Sequence, residues 1–286
     1  MCLVALALDQ HRKFPLVIAS NRDEFFARPA TRLAWWTARP DGQPILSGRD
    51  IESGGTWLGL TAPGRLALLT NIRDPQRHDP AAPSRGNIVP DWLEATESID
   101  RFWMRTALSG HNGFNLIAAD FRQGECFWAS NVGVFPMRLE RGLYGLSNAG
   151  LDSPWPKVQA LKARTRHALD VSDSADALAV QLFDALADRS IAPDAALPTT
   201  GISLERERML APAFIRTPDA SYGTRCSTLV ITERVNRNLV THVLERSFTA
   251  DGGPTLMRTA VLRHWPPRHG SKATQHAEQG AVSESV

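Results

Sequence analysis

The second residue of the chain is a cysteine, and its position favours nucleophilic chemistry. A small residue after an initiator methionine is the usual condition for removal of that methionine, which would leave Cys2 with a free α-amine. Such a cysteine carries its nucleophile and its base in one residue. Because the thiol titrates near ~8.5 and the amine near ~7.7–8.0, moving the proton from sulfur to nitrogen costs only about 1 kcal/mol. We therefore predict an N-terminal nucleophile that requires the removal of Met1.

The tetrapeptide Asn21-Arg22-Asp23-Glu24 is a second chemical feature. Arg22 beside the sulfur would favour the thiolate, and Asp23 or Glu24 could accept hydrogen bonds from the α-ammonium group. The same four residues could equally form a solvated turn that caps a helix, since Asn and Asp are good caps. The residue types leave open which of the two carboxylates is functional.

A β-hairpin is expected to bring the cysteine to this cluster. Two short apolar runs, residues 3–8 and 14–20, flank a polar tetrapeptide, which is typical of a hairpin. If the turn centres on that tetrapeptide, opposed positions have numbers that sum to about 23. This register predicts that Cys2 lies across from Asn21 and beside Arg22.

A second hairpin is predicted over residues 56–71, around a central Pro-Gly. Opposed positions here sum to about 127, which places Asn71 across from Thr56 at the open end. An amide at a strand end could donate a hydrogen bond to an oxyanion. A simple turn residue before Arg73 is an equal alternative for Asn71.

Further strands and helices complete an α+β pattern. Four closely spaced strands over residues 114–148 predict an antiparallel meander, and residues 156–169 and 173–188 predict two amphipathic helices over one sheet face. A last hairpin turns at residues 234–238. It places Arg225 near its open end, where the side chain could polarise a carbonyl or form a structural ion pair.

Several ordered motifs make residues 1 to about 265 resemble the NRDE family. They are Cys2, Asn21-Arg22-Asp23-Glu24-Phe25, Arg28-Pro29, Gly55-Thr56-Trp57-Leu58-Gly59, Leu69-Thr70-Asn71, Ser84-Arg85-Gly86, Leu146-Ser147-Asn148, Pro154-Trp155-Pro156-Lys157 and Tyr222-Gly223-Thr224-Arg225. The resemblance implies an N-terminal nucleophile hydrolase-like fold, similar to that of the cholylglycine hydrolases. This is a four-layer αββα sandwich of two antiparallel sheets.

The resemblance also implies roles for individual residues. An asparagine placed similarly in the cholylglycine hydrolases contributes to the oxyanion site, which assigns that role to Asn148. The predicted catalytic set is Cys2, Arg22, Asp23, Asn71, Asn148 and Arg225, and Asn21, Glu24 and Trp57 are assigned to substrate binding. The cholylglycine hydrolases carry their Arg and Asp three residues apart, whereas Arg22 and Asp23 are adjacent, so the matching carboxylate stays open.

Composition bounds the partners and the cellular location. The formal net charge is +2, which gives no indication of a nucleic-acid partner, and no apolar run approaches the ~20 residues needed to span a bilayer. Three cysteines without CxxC spacing favour a reducing cytoplasm and disfavour a metal site. We expect one domain over residues 1–265, a disordered tail over residues 266–286, and a small-molecule substrate or hydrophobic ligand.

Two functions from different classes follow from these observations. The leading hypothesis is a cysteine N-terminal nucleophile hydrolase that cleaves a non-peptide amide, a thioester or an ester through Cys2 and requires no cofactor. The alternative is a non-enzymatic carrier that binds haem or an acyl-lipid in the same cleft. His111 and His264 would then be candidate haem ligands, although structural histidines are the more common case.

Overall fold

Two antiparallel sheets hold the strands that the apolar runs predict. The computed structural model describes residues 2–267 and 280–285. In chain order its strands are β1 Cys2–Leu8, β2 Leu16–Phe25, β3 Ala30–Trp36, β4 Ile45–Asp50, β5 Leu58–Thr61, β6 Arg65–Asn71, β7 Phe114–Asp120, β8 Glu125–Ser130, β9 Val134–Arg138, β10 Gly142–Leu146, β11 Tyr222–Val235, β12 Asn238–Phe248, β13 Pro254–Arg263 and β14 Ser283–Ser285.

The helices lie mainly in two regions between the strands. They are α1 Ile88–Glu94, α2 Ile99–Ala107, α3 Pro156–Val171, α4 Ala175–Leu186 and α5 Leu204–Met209, with 3-10 turns at Pro75–Arg77, Arg85–Asn87 and Asp194–Ala196. The amphipathic pattern therefore located α3 and α4 correctly. The short helix α4 starts with a Ser174 cap, whose hydroxyl accepts a hydrogen bond from the backbone of Ala177.

The strand order places β1 and β2 inside the first sheet. Within the described residues that sheet runs β10-β1-β2-β11-β12-β13-β14, and the second runs β3-β4-β5-β6-β7-β8-β9. The predicted four-strand meander is wrong in its last member, because β10 leaves β9 and pairs with β1 of the other sheet. This pairing gives hydrogen-bond partners to the backbone of β1, whose residues are all buried.

Three apolar cores separate four layers. Even-numbered residues of β1, such as Val4 and Leu6, face the second sheet, whereas odd-numbered residues such as Leu3 and Ala5 face α3 and α4. A third core joins the outer face of the second sheet to α1 and α2. The predicted αββα sandwich of two antiparallel sheets is confirmed.

The register of the two site-forming hairpins differs from the predicted one by one residue. Cys2 opposes Arg22, so that paired numbers sum to 24, because the loop between β1 and β2 is centred on Arg12. Leu58 opposes Leu68 in the second hairpin, a sum of 126, so Asn71 does not oppose Thr56. A shift of one residue changes which side chains share a face.

Most of the predicted tail, residues 268–279, lies outside the described residues. Within the part that is described, Ser283–Ser285 pairs with β13 as a short edge strand. No helix in the described ranges is long and apolar enough to cross a bilayer.

Candidate active site

A polar cavity of about 560 Å³ opens between the two sheets at the end where β1 begins. The first sheet contributes the starting residue of β1 and the end of β2, while the second sheet contributes the ends of β4 and β6 and the loop before β5. The predicted site residues among its lining are Cys2, Arg22, Asp23, Glu24, Trp57 and Asn71. The structure therefore brings together six of the nine residues assigned from the sequence.

Arg22 is held beside Cys2 by its strand register and by two side-chain contacts. Its position opposite Cys2 puts both side chains on the face that looks toward the second sheet. The guanidinium lies 4.3 Å from the ring centroid of Trp57, and Nη2 donates to the Asp50 carboxylate at 2.7 Å. Gly48 makes room for this ring, because a Cβ atom there would come within 2.6 Å of it.

The Cys2 thiol is buried, and burial raises its pKa above the ordinary value. The positive charge of Arg22 acts in the opposite direction, and the nearby Asp23 and Glu24 carboxylates add to the increase. In this environment the thiol is mainly neutral near pH 7. A reactive thiolate therefore needs a base close to the sulfur.

Asp23 lies at the centre of a buried charge cluster. Its Oδ1 accepts a hydrogen bond from the Thr224 hydroxyl at 2.7 Å, and Lys157 is the cation with the largest effect on it. Burial raises the pKa of Asp23, whereas it lowers the pKa of Lys157 to about 8. Next to them Arg73 pairs with Glu207 at 2.7 Å, so that each of these buried charges has an opposite charge nearby.

The two candidate oxyanion residues are neighbours. Asn148 donates from Nδ2 to the backbone carbonyl of Asn71 at 2.8 Å, and the backbone carbonyl of Asn148 accepts from the backbone N–H of Arg73. Next to it, the Ser147 hydroxyl donates to the carbonyl oxygen of Cys2 at 3.0 Å. Asn71 lines the Cys2 cavity, whereas Asn148 lines an adjoining cavity that also contains Asn71.

Asn21 is not in the cavity, which corrects its assignment to substrate binding. Its Nδ2 donates to the carbonyls of Leu186 and Ala213, and its Oδ1 accepts from the Ser227 hydroxyl at 2.6 Å. The observed register explains the difference, because a residue next to Arg22 along β2 faces the helical layer. Asn21 therefore joins α4 and β11 to β2.

Arg225 also lies outside the Cys2 cavity. It occupies a β-bulge, since Thr224 pairs with Asp23 and Cys226 pairs with Arg22. Its Nη1 donates to the carbonyls of Phe25 and Arg28, and its guanidinium lines a different cavity. The bulge is the physical reason that the predicted convergence failed for this residue.

Several residues of the site were not singled out from the sequence. Asp50, which pairs with both Arg22 and Arg28, lies in a segment without any recognisable motif. Lys157 belongs to the Pro154-Trp155-Pro156-Lys157 motif, and this motif was the one feature of the sequence that could have indicated its place in the site. The loop of residues 78–86 covers one side of the cavity and is anchored where Thr56 donates to the Gly86 carbonyl.

The candidate haem ligands lie outside the lining of the Cys2 cavity, although His111 contacts Pro83, which is part of that lining. His111 contacts the Pro83 carbonyl through Nδ1 at 3.0 Å and lies against Phe114, and His264 is at an exposed turn after β13. Neither histidine lines the cavity. Across residues 2–267 and 280–285, no three His, Cys, Asp or Glu side chains form a group that could hold a metal ion.

The fold and the cavity together define a class, namely αββα proteins with a cysteine at the start of a central strand. Comparison with known sequences identifies the family: the model for Transport and Golgi organisation 2 matches residues 1–250. The human Transport and Golgi organization protein 2 homolog is 33% identical over 288 residues, which cover 94% of this chain and 97% of the human one. The chain belongs to this family, as the NRDE motifs indicated.

Two further relatives match over a smaller but still large share of the chain. The mouse Transport and Golgi organization 2 homolog is 33% identical over 82% of this chain and 89% of its own length. The cattle homolog is 35% identical over the same shares. Among solved structures, the Caenorhabditis elegans N-acylethanolamine-hydrolyzing acid amidase ortholog aligns with a TM-score of 0.41 and 12% identity, covering 80% of this chain and 92% of its own.

Substitution of Asn21 tests its structural assignment. Asn21→Ala would leave the buried Leu186 and Ala213 carbonyls without their donor, so we expect a loss of about 2–4 kcal/mol in the free energy of unfolding. Urea denaturation measures this loss. The alkylation rate of Cys2 in the folded variant should stay at the wild-type value, and a selective loss of Cys2 reactivity at wild-type stability would contradict the assignment.

The depressed pKa of Lys157 makes a prediction about stability. Between about pH 8 and the ordinary lysine value, the unfolded chain binds more protons at this position than the folded chain. The free energy of unfolding of the wild type should therefore rise with pH over this range relative to that of Lys157→Met. Paired urea titrations at pH 8 and pH 10 measure the free energy of unfolding of both proteins. Subtraction of the variant value from the wild-type value removes the contribution of all other titrating groups. A constant difference would contradict the placement of Lys157.

Proposed function

We propose that the chain is a cysteine N-terminal nucleophile hydrolase that cleaves a non-peptide amide, a thioester or an ester after removal of Met1. One observation carries the proposal: Cys2 starts a central strand and lines a cavity with Arg22 and Asp23 of β2 and Asn71 of β6. A thiol, two charged groups and an amide donor at one cavity are the components of nucleophilic acyl transfer.

The register favours Asp23 over Glu24 as the carboxylate that holds the α-ammonium group. Cys2 pairs with Arg22, and Asp23 is the next residue along β2. Asp23 therefore lies on the side of this pair where the chain of β1 begins. It is fully buried and is fixed by Thr224. Glu24, in contrast, accepts a hydrogen bond from the neighbouring backbone N–H of Phe25 and is partly exposed.

Each step of the proposed reaction has a group in the cavity. The α-amine takes the thiol proton, and the sulfur forms a bond to the substrate carbonyl carbon. The negative charge that develops on the carbonyl oxygen is stabilised by the Asn71 amide, and Asn148 holds the backbone of Asn71 in place. The bond to the amine, thiol or alcohol then breaks as that group takes the proton from the α-ammonium, and water hydrolyses the acyl-enzyme.

Arg22 supplies a positive charge beside the sulfur. Because Nη2 is bound to Asp50 and the guanidinium is stacked on Trp57, the charge is fixed at this place and needs no rearrangement during the reaction. We assign it to stabilisation of the thiolate. Trp57 and Glu24, which line the same cavity, are the candidates for contacts with the substrate.

A second candidate function is the non-enzymatic carrier of haem or an acyl-lipid. The raised pKa of the buried Cys2 thiol favours this alternative, because a neutral thiol is a poor nucleophile. The two functions place opposite demands on the N-terminus. A hydrolase needs the free α-amine of Cys2, whereas a carrier does not.

Intact mass and thiol labelling distinguish the two functions. For the hydrolase we expect a mass that lacks Met1 and labelling of Cys2 by a thiol-reactive acyl probe near pH 7. Cys2→Ala should abolish labelling, while Cys126→Ala, which removes another buried thiol, should leave it unchanged. A chain that retains Met1, or equal labelling of Cys2→Ala, would support the carrier. A panel of amides, thioesters and esters then identifies the bond that is cleaved.

Arg22→Gln tests the thiolate assignment. Removal of the positive charge should raise the pKa of Cys2 and move the midpoint of its alkylation profile to higher pH. Since Asp50 keeps Arg28 as a partner, we expect stability to fall by only about 1–3 kcal/mol.

Arg28→Gln is the matched control for this variant. It removes the other cation bound to Asp50, yet it does not lie among the charges that act on Cys2. It should lower the stability by a similar amount and leave the alkylation profile at the wild-type midpoint. An identical shift in both variants would mean that Arg22 acts through the fold.

A further inference from the structure

A second cavity, of about 830 Å³, lies on the other side of Arg22 and Trp57. Both residues line this cavity as well as the Cys2 cavity, so their stacked side chains form the partition between the two. The walls come from β3 and β4 of one sheet and from β11, β12 and β13 of the other. The proposed hydrolase mechanism uses none of the remaining groups in this space.

The charged lining of the second cavity is dominated by cations. Among the described residues, Glu245 is the one acidic residue in its lining, and the cations are Arg22, Arg32, Arg49, Arg225 and Arg258. Glu245 is fully buried and accepts a hydrogen bond from the Leu33 backbone at 2.7 Å, and burial raises its pKa. The carboxylate holds β3 against β12, and Arg22 and Arg258 are the lining cations whose charges act on it, so the charges of Arg49 and Arg225 are not among those that act on this carboxylate.

Two of the arginines have donors left for a ligand. Arg49 uses Nε for the Gly54 carbonyl, and Arg225 uses Nη1 for two backbone carbonyls. Among the residues that the structure describes, no acceptor binds Nη1 or Nη2 of Arg49 or Nη2 of Arg225. Free guanidinium donors that are fixed in this way suit the paired oxygens of a carboxylate or phosphate.

Arg22 provides an independent observation at the floor of the cavity. Its Nη1 is buried and has no hydrogen-bond acceptor in the described part of the chain, although the side chain is only 5% exposed. A buried charged donor without an acceptor is costly, and such groups are rare unless a ligand or an ordered water completes them. This donor belongs to the residue that separates the two cavities.

Aromatic side chains form the apolar part of the same walls. Trp36 lies against the guanidinium of Arg49, with 4.6 Å between the guanidinium carbon and the ring centroid, and Trp57 and Phe248 complete the surface. Flat apolar groups pack well between such side chains, while the arginine edges remain available for an anion.

We propose that the second cavity binds an organic anion, a carboxylate or phosphate monoester attached to a flat apolar body. The anion binds between Arg49 and Arg225, and the apolar body lies against Trp36 and Trp57. This assigns a binding role to Arg225, which the sequence had placed in catalysis. The site shares Arg22 and Trp57 with the Cys2 cavity as a common wall, and it does not depend on the proposed hydrolase.

Calorimetry with three matched probes tests the site. We expect the full-length protein to bind 1-naphthoate and 1-naphthyl phosphate, and to bind the neutral 1-naphthamide at least about tenfold more weakly, because only the anions can pair with the arginines. Rates of Cys2 alkylation measured on the same samples show whether the probe occupies the other cavity. Equal binding of the amide and the anions, or no binding of either anion, would overturn the proposal.

Three variants locate the bound anion. Arg49→Gln removes the stacked cation, and Ser247→Phe fills the cavity from β12, where the Ser247 side chain lines the wall. Both should weaken anion binding at least about tenfold, whereas Arg101→Gln, at an exposed position of α2, should not change it. Ser247→Phe removes no charge and no side-chain hydrogen bond to Arg49 or Arg225, so it remains informative if Arg49→Gln fails to fold. Wild-type affinity in folded Ser247→Phe would place the anion elsewhere and reject the site.

Discussion

The contact of Arg22 with Trp57 and Asp50 is the interaction on which the site depends. Arg22 comes from the centre of one sheet, while its two partners come from the other sheet, so this contact joins the sheets at the end where β1 begins. It also fixes a positive charge opposite Cys2 and separates two cavities. A guanidinium suits this position because it can stack on a ring and bind a carboxylate at the same time.

Burial of charge around Cys2 has a cost that the fold compensates by pairing. Asp23 has Lys157 and Thr224 beside it, and Arg73 is paired with Glu207. Removal of water from charged groups is unfavourable in free energy, and an ion pair offsets this desolvation only where its geometry and hydrogen bonds are good. Neutral polar residues would be cheaper to bury. Under the proposed hydrolase, the cluster holds the α-ammonium group of Cys2 beside the sulfur, a role for which buried charge is required.

The one-residue difference in register separates the predicted site from the observed one. With paired numbers that sum to 23, Asn21 would have opposed Cys2, whereas the observed sum of 24 places Arg22 there and turns Asn21 toward the helices. The strands themselves were evident from their apolar runs. The turn between them was not, because a polar loop of several residues can be centred at more than one position.

The sequence by itself determined the family, the αββα layers, and the presence of Cys2, Arg22, Asp23 and Asn71 at strand ends. The alternation of apolar residues and the order of the motifs can be recognised directly in the linear sequence. The tertiary structure decided which of those strand ends converge and that Asp50 pairs with Arg22. It also decided that Arg225, at a bulge in β11, lines the second cavity and not the Cys2 cavity. These facts depend on register, bulges and contacts between sheets, which join residues far apart in the chain and leave no local pattern.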